Sequence, residues 1–387
     1  MDSKIKIIAD ADIPFLKGVI EPFADIVYLK GSEINAQAVR DADALIVRTR
    51  TNCNAGLLEN SKVKFIASAT IGTEHVDKEY CNKNGIYFTA AAGCNAWGVV
   101  QYVITAIFNV CNKLGTDPRG KTLGIVGAGN VGERLAQTAL RFGINILRCD
   151  PPLKELLAKD SEYFKTASAA QRGEIGEFYV DRSHLSSSDY FTLNDLLEKS
   201  DIVSVHTPLN DSTREMVSYE FLSKMRKGAI FINSSRGEVT NEKELISCRD
   251  NLGAVVTDVW TREPLLNLDL MSISDIATPH IAGYSLEGKA NATRIIVNKL
   301  GGFYGIDNLA NFSIELPPVS SYNFIPDRNI SGLKNIVNLL EKIYSIEEDV
   351  KLLKNNPGSF EYQRGNYNYR REFLPELFVI IEPLKFK

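Results

Sequence analysis

Three short segments of the 387-residue chain carry side chains suited to moving a proton and holding an acid. They are Asn233-Ser234-Ser235-Arg236-Gly237, Asp258-Val259-Trp260-Thr261-Arg262-Glu263-Pro264 and Thr278-Pro279-His280-Ile281-Ala282-Gly283. Oxidising an alcohol by hydride transfer needs a base for the hydroxyl proton, and histidine titrates near neutral pH. A carboxylate beside the ring favours its charged form. A guanidinium grips a substrate carboxylate and polarises the reacting oxygen. His280 is therefore the candidate acid/base, Glu263 its partner and Arg236 the substrate anchor. Each also has a plain structural reading: Arg236 as a surface cation, Glu263 paired with Arg262, His280 as a core histidine. All three segments follow apolar runs, so all three stand where an open α/β sheet binds ligands.

Upstream lies Gly127-Ala128-Gly129-Asn130-Val131-Gly132. Alone, this glycine spacing says little. Its context is that of a dinucleotide fingerprint: the apolar run Leu123–Val126 before it, a helical pattern Val131–Leu140 after it, and Asp150 ending the next run. Gly127 permits the tight turn, Gly129 lets the backbone approach a pyrophosphate, and Gly132 allows close helix–strand packing. Free N–H groups at the helix start, with their partial positive charge, meet the phosphates. Asp150 accepts hydrogen bonds from the adenosine ribose and repels a 2′-phosphate, so NAD is expected rather than NADP.

Two series of strands must position these residues. The first comprises Lys4–Asp10, Asp25–Lys30, Ala44–Thr49, Lys64–Ala69 and Ile86–Ala91, with helical segments at Ile13–Phe23, Asn35–Ala42 and Val76–Asn84. The second comprises Leu123–Val126, Ile144–Cys149, Ile202–His206, Ala229–Asn233, Ala254–Asp258 and Ile276–Thr278. Strands alternating with helices give parallel βαβ units, an α/β fold of two doubly wound sheets. Long helical runs, Trp97–Leu114 and Leu286–Leu300, carry the chain between domains. The polar stretch 152–191 is too long for a simple connection and reads as an irregular insertion with some helix. The tail opens with a Pro-containing stretch, continues through a helix at Ile330–Ile343 and a polar region, and ends apolar at Leu377–Ile381.

Composition narrows the function classes. Hydrophobic residues make up 44% and charged residues 24%, as in ordinary globular proteins. A net charge of -4 argues against a general nucleic-acid binder. No apolar run reaches the ~18 residues of a membrane span. The six cysteines form no CxxC pair, and the start has no signal-peptide layout, so a cytoplasmic, reduced, metal-free protein is expected. His75, within Thr73-Glu74-His75-Val76-Asp77, reads as part of a turn and helix start capped by Thr73 rather than as a metal ligand.

With its Arg236…Glu263…His280 set, the chain resembles the D-isomer-specific 2-hydroxyacid dehydrogenases over residues 1 to about 305. Local strings narrow the resemblance to one branch. Among them are Ala69-Thr70-Ile71-Gly72-Thr73-Glu74-His75-Val76-Asp77 and His280-Ile281-Ala282-Gly283-Tyr284-Ser285-Leu286-Glu287-Gly288-Lys289. The tail string Arg364-Gly365-Asn366-Tyr367-Asn368-Tyr369-Arg370-Arg371-Glu372-Phe373 belongs with them. The resemblance implies NAD-dependent oxidation of 4-phospho-D-erythronate to its 2-oxo acid, in vitamin B6 biosynthesis. It implies three domains: a flavodoxin-like substrate domain (1–95 with 281–305), a Rossmann NAD domain (96–280), and a small α+β C-terminal dimerisation domain (306–387) in a homodimer. It assigns Asn130, Val131, Asp150, Thr207, Ser234, Ser235, Asp258 and Gly283 to NAD. Thr49, Thr70 and Tyr284 are assigned to a small phosphorylated hydroxyacid. For the phosphate, Arg48 and Arg50 end a strand and would share one face, while Arg370 and Arg371 could reach a partner subunit. Two alternatives remain: a dehydrogenase of another D-2-hydroxyacid such as 3-phosphoglycerate, and a non-catalytic NAD-binding scaffold.

Overall fold

In a computed structural model, residues 4–166 and 180–384 are described. All the strands pair in parallel, in two sheets. The first five are β1 (Lys6–Asp10), β2 (Asp25–Leu29), β3 (Ala44–Val47), β4 (Phe65–Ser68) and β5 (Tyr87–Ala90), arranged in the order β2-β1-β3-β4-β5. The next six are β6 (Thr122–Val126), β7 (Asn145–Cys149), β8 (Ile202–Val205), β9 (Ile230–Asn233), β10 (Ala254–Thr257) and β11 (Ile276–Ala277), in the order β11-β10-β9-β8-β6-β7. Both expected series therefore form, the first in the flavodoxin-like order and the second doubly wound.

Burial on both faces explains why these strands read as continuous apolar runs. Along β1, Ile7 and Ala9 join one cluster while Ile8 joins another on the opposite face. Along β8, Ile202 faces one cluster and Val203 and Val205 the other. Adjacent side chains of a strand point to opposite faces, so most positions take an apolar residue, and buried Ser204 of β8 is satisfied by His206 Nε2 at 2.8 Å.

The chain divides into two compact units. One holds residues 4–95 and 286–318, the other 96–166, 180–285 and 319–384. Helix Leu286–Tyr304 buries Ala292, Ile295, Ile296 and Leu300 in the first unit. Helix Ala96–Lys113 is buried along nearly its whole length in the second. Residues 281–285, expected with the substrate domain, lie in the second unit.

The expected α+β tail domain is corrected. Among the described residues the tail has helices, Gly332–Ile343, Ile346–Asn355, Phe360–Gly365 and Glu376–Ile381, and no strand. Its apolar residues recur at helical spacing: Ile336, Leu339 and Leu340, then Leu377 and Ile381. They fill the same cluster as Val103 and Ile107 of helix Ala96–Lys113, so residues 319–384 are part of the second unit's core.

Smaller corrections have local causes. Ile13–Phe23 forms turns, because Pro14 is followed by Phe15 at φ 61° and Gly18 at φ 87°. Helix Lys78–Lys83 is capped by Asp77, whose carboxylate accepts the Tyr80 N–H, and not by Thr73. In the 152–191 insertion, Pro151–Lys159 and Tyr163–Thr166 are helical. Its middle, 167–179, lies outside the described residues.

Candidate active site

The glycine turn follows β6, beside the point where strand order reverses between β6 and β8. Gly127 has φ 92°, and a Cβ there would stand 2.7 Å from the His206 carbonyl oxygen. A Cβ on Gly132 would stand 2.0 Å from the Gly127 carbonyl oxygen. A Cβ on Gly129 would meet nothing within 4 Å. The outer glycines thus serve close packing, while the middle one borders open space at the start of helix Asn130–Arg141. Asn130 and Val131 open that helix, whose first N–H groups lack helical acceptors. Asp150 accepts the Ala128 N–H at 2.9 Å and the Leu153 N–H at 3.1 Å, tying the turn to the next helix.

Two hydroxyls show that the neighbouring strand ends suit a polar ligand. Thr207 Oγ1 after β8 and Ser234 Oγ after β9 are buried without a hydrogen-bond partner among the described residues. Leaving such groups unpaired costs about 1–3 kcal/mol each, which a dinucleotide with hydroxyl and amide groups would offset. Ser235 differs from expectation: its N–H and hydroxyl both donate to Asn233 Oδ1 at 2.9 Å, so the hydroxyl serves the loop. Gly129→Ala tests the open space directly. An added Cβ meets nothing within 4 Å, so thermal stability should hold. NADH affinity should fall about tenfold, ~1.4 kcal/mol, in a fluorescence titration.

Arg236, Glu263 and His280 follow the carboxyl ends of β9, β10 and β11. A Cβ on Gly237 would lie 2.0 Å from the Trp260 carbonyl carbon, so the Arg236 loop runs hard against the Trp260 loop. Arg236 Nη1 donates to the Ser235 carbonyl at 2.7 Å. His280 adopts φ 57°, a left-handed conformation held by its surroundings. Its N–H donates to the Asp258 carbonyl at 2.7 Å, and the Ile281 and Ala282 N–H groups donate to the Asp258 carboxylate at 2.9 Å. The Thr278 hydroxyl adds a fourth contact at 2.6 Å. Asp258, expected at the cofactor, is 1% exposed and builds the His280 loop.

His280 Nδ1 lies 2.7 Å from Glu263 Oε2 and 2.9 Å from Oε1. Glu263 also accepts the Trp260 N–H at 3.1 Å. Burial pushes the Glu263 carboxyl up, but the His280 ring, its hydrogen bond and the Arg364 guanidinium outweigh that and hold it below its ordinary value. The carboxylate is therefore ionised at neutral pH and engages the ring through Nδ1. His206 is no rival base: desolvation pushes it down to about 3, and its Nε2 pairs with Ser204 Oγ at 2.8 Å.

Sequence reasoning missed what the tail does here. Arg370, read from the sequence as able to reach a partner subunit, is 8% exposed within its own chain. It donates to the carbonyls of Ile281 at 3.0 Å, Gly98 at 3.1 Å and Tyr284 at 3.4 Å, and to that of Ala282. Gln101 Oε1 accepts from its Nε at 3.1 Å. The only signal was the tail string itself, whose spacing from His280 reveals no contact. Tyr284 stands beside Tyr367 and Tyr369, with ring centroids 5.9 and 6.1 Å away.

In the first unit, β3 ends at Val47, so Arg48, Thr49 and Arg50 lie in a turn and strand alternation does not align the two arginines. Arg48 is engaged by Asp10 at 2.9 and 3.0 Å and by Asp12 at 2.6 Å. Thr49 and Arg50 are exposed. The Thr70 hydroxyl lies 2.7 Å from Ser68 Oγ, which in turn lies 3.1 Å from His75 Nε2.

Comparison with known proteins agrees with this geometry. A sequence profile of the D-isomer specific 2-hydroxyacid dehydrogenase NAD binding domain matches residues 104–172 and 165–282. Erythronate-4-phosphate dehydrogenase of Bacteroides fragilis (strain ATCC 25285) is 37% identical over 375 residues, covering 95% of this chain and 97% of that protein. The enzyme of the same name from Bacteroides thetaiotaomicron is also 37% identical, over the same shares of each chain. The NAD+-bound 3-phosphoglycerate dehydrogenase of Entamoeba histolytica shares the fold, with a TM-score of 0.60 at 23% identity, covering 81% of this chain and 100% of that one. The glycine turn, the orphaned hydroxyls and the His280–Glu263 pair thus sit in an NAD-dependent dehydrogenase. The chain belongs to the erythronate-4-phosphate dehydrogenase family, within the D-isomer specific 2-hydroxyacid dehydrogenases.

Proposed function

We propose that the chain oxidises 4-phospho-D-erythronate at C2 to (3R)-3-hydroxy-2-oxo-4-phosphooxybutanoate, in pyridoxal phosphate biosynthesis. The observation that carries this reading is the His280–Glu263 pair, 2.7 Å apart, at the carboxyl edge of a dinucleotide-binding sheet. NAD, when bound, supplies the hydride acceptor; Gly127, Gly129, Asn130, Val131, Gly132, Asp150, Thr207, Ser234 and Gly283 would hold it. His280 Nε2 takes the C2 hydroxyl proton. Glu263 stabilises the imidazolium that results. Arg236 anchors the substrate carboxylate and keeps the reacting oxygen polarised. Tyr284, Thr49 and Thr70 are proposed as substrate contacts. Arg50 is assigned to the phosphate in place of Arg48, whose donors serve Asp10 and Asp12.

NADH formation should be clear with 4-phospho-D-erythronate, and weak with 3-phospho-D-glycerate and unphosphorylated D-erythronate. Preference for 3-phospho-D-glycerate would keep the acid/base chemistry and overturn the substrate. The binding energy of a remote phosphate raises the rate at the reacting carbon, so the unphosphorylated acid should suffer in kcat as well as KM.

A homodimer formed through the tail fits the exposure of Ile325 (90%) and Val379 (75%). Sedimentation should give twice the chain mass, and Ile325→Asp with Val379→Asp should shift it toward one. A cytoplasmic location fits the six cysteines, all buried and none in a disulfide. Among the described residues, no helix is long and apolar enough to cross a membrane.

A further inference from the structure

The tail brings a second charged partner to the His280–Glu263 pair. Arg364 Nη1 lies 3.7 Å from Glu263 Oε2, the same oxygen that stands 2.7 Å from His280 Nδ1. The Arg364 side chain is 21% exposed, with its guanidinium carbon 5.4 Å from the centre of the Phe360 ring and 6.0 Å from that of Tyr284. Its Nε is buried with no hydrogen-bond partner among the described residues. Its guanidinium is hydrogen-bonded to the Tyr284 side chain rather than to Glu263. At 3.7 Å its contact with Glu263 is longer than a hydrogen bond. What Arg364 contributes there is charge.

We propose that Arg364 is a positioning residue for proton transfer, sharing Glu263 with His280 and so limiting how strongly that carboxylate favours the imidazolium. The proposal rests on the acid/base role given to His280 above. The charged and titratable groups around the pair are Arg364, Tyr284 and Glu361, the last 3.6 Å from Arg364 Nη1. Glu361 is 41% exposed against 20% for Glu263, so solvent screens it more. Arg370 secures this arrangement six residues further on, by gripping the carbonyls of the His280 loop.

The sign follows from Coulomb's law. A cation beside Glu263 offsets part of the field that the carboxylate exerts on the ring. Without it, the ring keeps its proton to higher pH. Oxidation requires the neutral ring, so the acid limb of the kcat/KM profile should move up in Arg364→Gln, by about half a unit to one unit. Arg364→Lys keeps the charge and should restore the limb to near the wild-type position. Arg364→Met, which preserves packing on Phe360 and Tyr284, serves if the Gln variant destabilises the tail. In a Glu263→Gln background, removing Arg364 should move the limb no further, because the shared carboxylate is gone. NADH titration and thermal melting of each variant report whether the fold is intact. A folded neutral variant with an unmoved limb overturns the proposal, as does a lysine variant that behaves like the neutral ones. A wild-type profile with no acid limb overturns the His280 role itself, and this proposal with it.

Discussion

Replacing His280 with alanine should lower kcat for NADH formation by about 10²–10⁴-fold while leaving NADH affinity unchanged. The ring is the proposed base, and its Nδ1 is already committed to Glu263. The glycine turn and the hydroxyls of Thr207 and Ser234 do not touch it, so the cofactor should bind as before. A scaffold that only senses NAD would lose nothing in this variant. Wild-type oxidation should rise with pH as the ring loses its proton, because only the neutral ring accepts another. Glu263 sets a lower boundary. Although burial opposes ionisation, its partners hold its carboxyl below the ordinary value. Its contribution to stability is therefore full above its unfolded-state value and disappears as pH falls through the lower folded value. Glu263→Gln should remove that acid-side loss of stability. It should also depress kcat, since the imidazolium loses its counter-charge. Profiles of kcat and of urea midpoint against pH measure both effects.

Arg370→Ala should cost about 3–5 kcal/mol of stability, read from the urea midpoint, and should lower kcat as well. Its donors reach the carbonyls of Gly98, Ile281, Ala282 and Tyr284, all beside or within the loop that carries His280. Alanine removes one hydrogen bond from each of those carbonyls, at about 0.5–1.5 kcal/mol each, although the Ile281 carbonyl keeps the Tyr284 N–H. It also removes a cation 4.4 Å from the centre of the Tyr344 ring. Lysine should recover little, because one ammonium cannot copy a planar fork of five donors. His280 holds a left-handed backbone conformation only while its loop is fixed. The activity loss should therefore appear in kcat at NADH affinities close to wild type. A variant that unfolds at the wild-type urea concentration would sink this account.

Much of the framework was legible in the sequence because parallel strands buried on both faces are apolar at most positions. Ile7-Ile8-Ala9 and Ile202-Val203 are runs of that kind, and each was found with boundaries only slightly too long. The glycines at 127, 129 and 132 were legible for a related reason. Gly127 answers a positive φ and Gly132 a close approach, while Gly129 borders open space, all within six residues of chain. Arg236, Glu263 and His280 each follow a strand, and parallel strands point all their carboxyl ends to one edge. Helical tendencies were less readable where turn residues intervened, as at Pro14 and Gly18.

The sequence by itself thus determined the two parallel sheets, the dinucleotide turn and the placing of Arg236, Glu263 and His280 after strands of one sheet, since those follow from backbone geometry and residue type over short spans. Only the tertiary structure decided the long-range partners. Arg48 is paired by Asp10, 38 residues away, and Asp258 closes the His280 loop 22 residues on. The tail passes Arg370 to the carbonyls around His280, about ninety residues upstream. Such pairings depend on where a chain path returns in space. A charged side chain of the right type is equally compatible with solvent, a partner subunit or a buried clamp until the surrounding core excludes water from it.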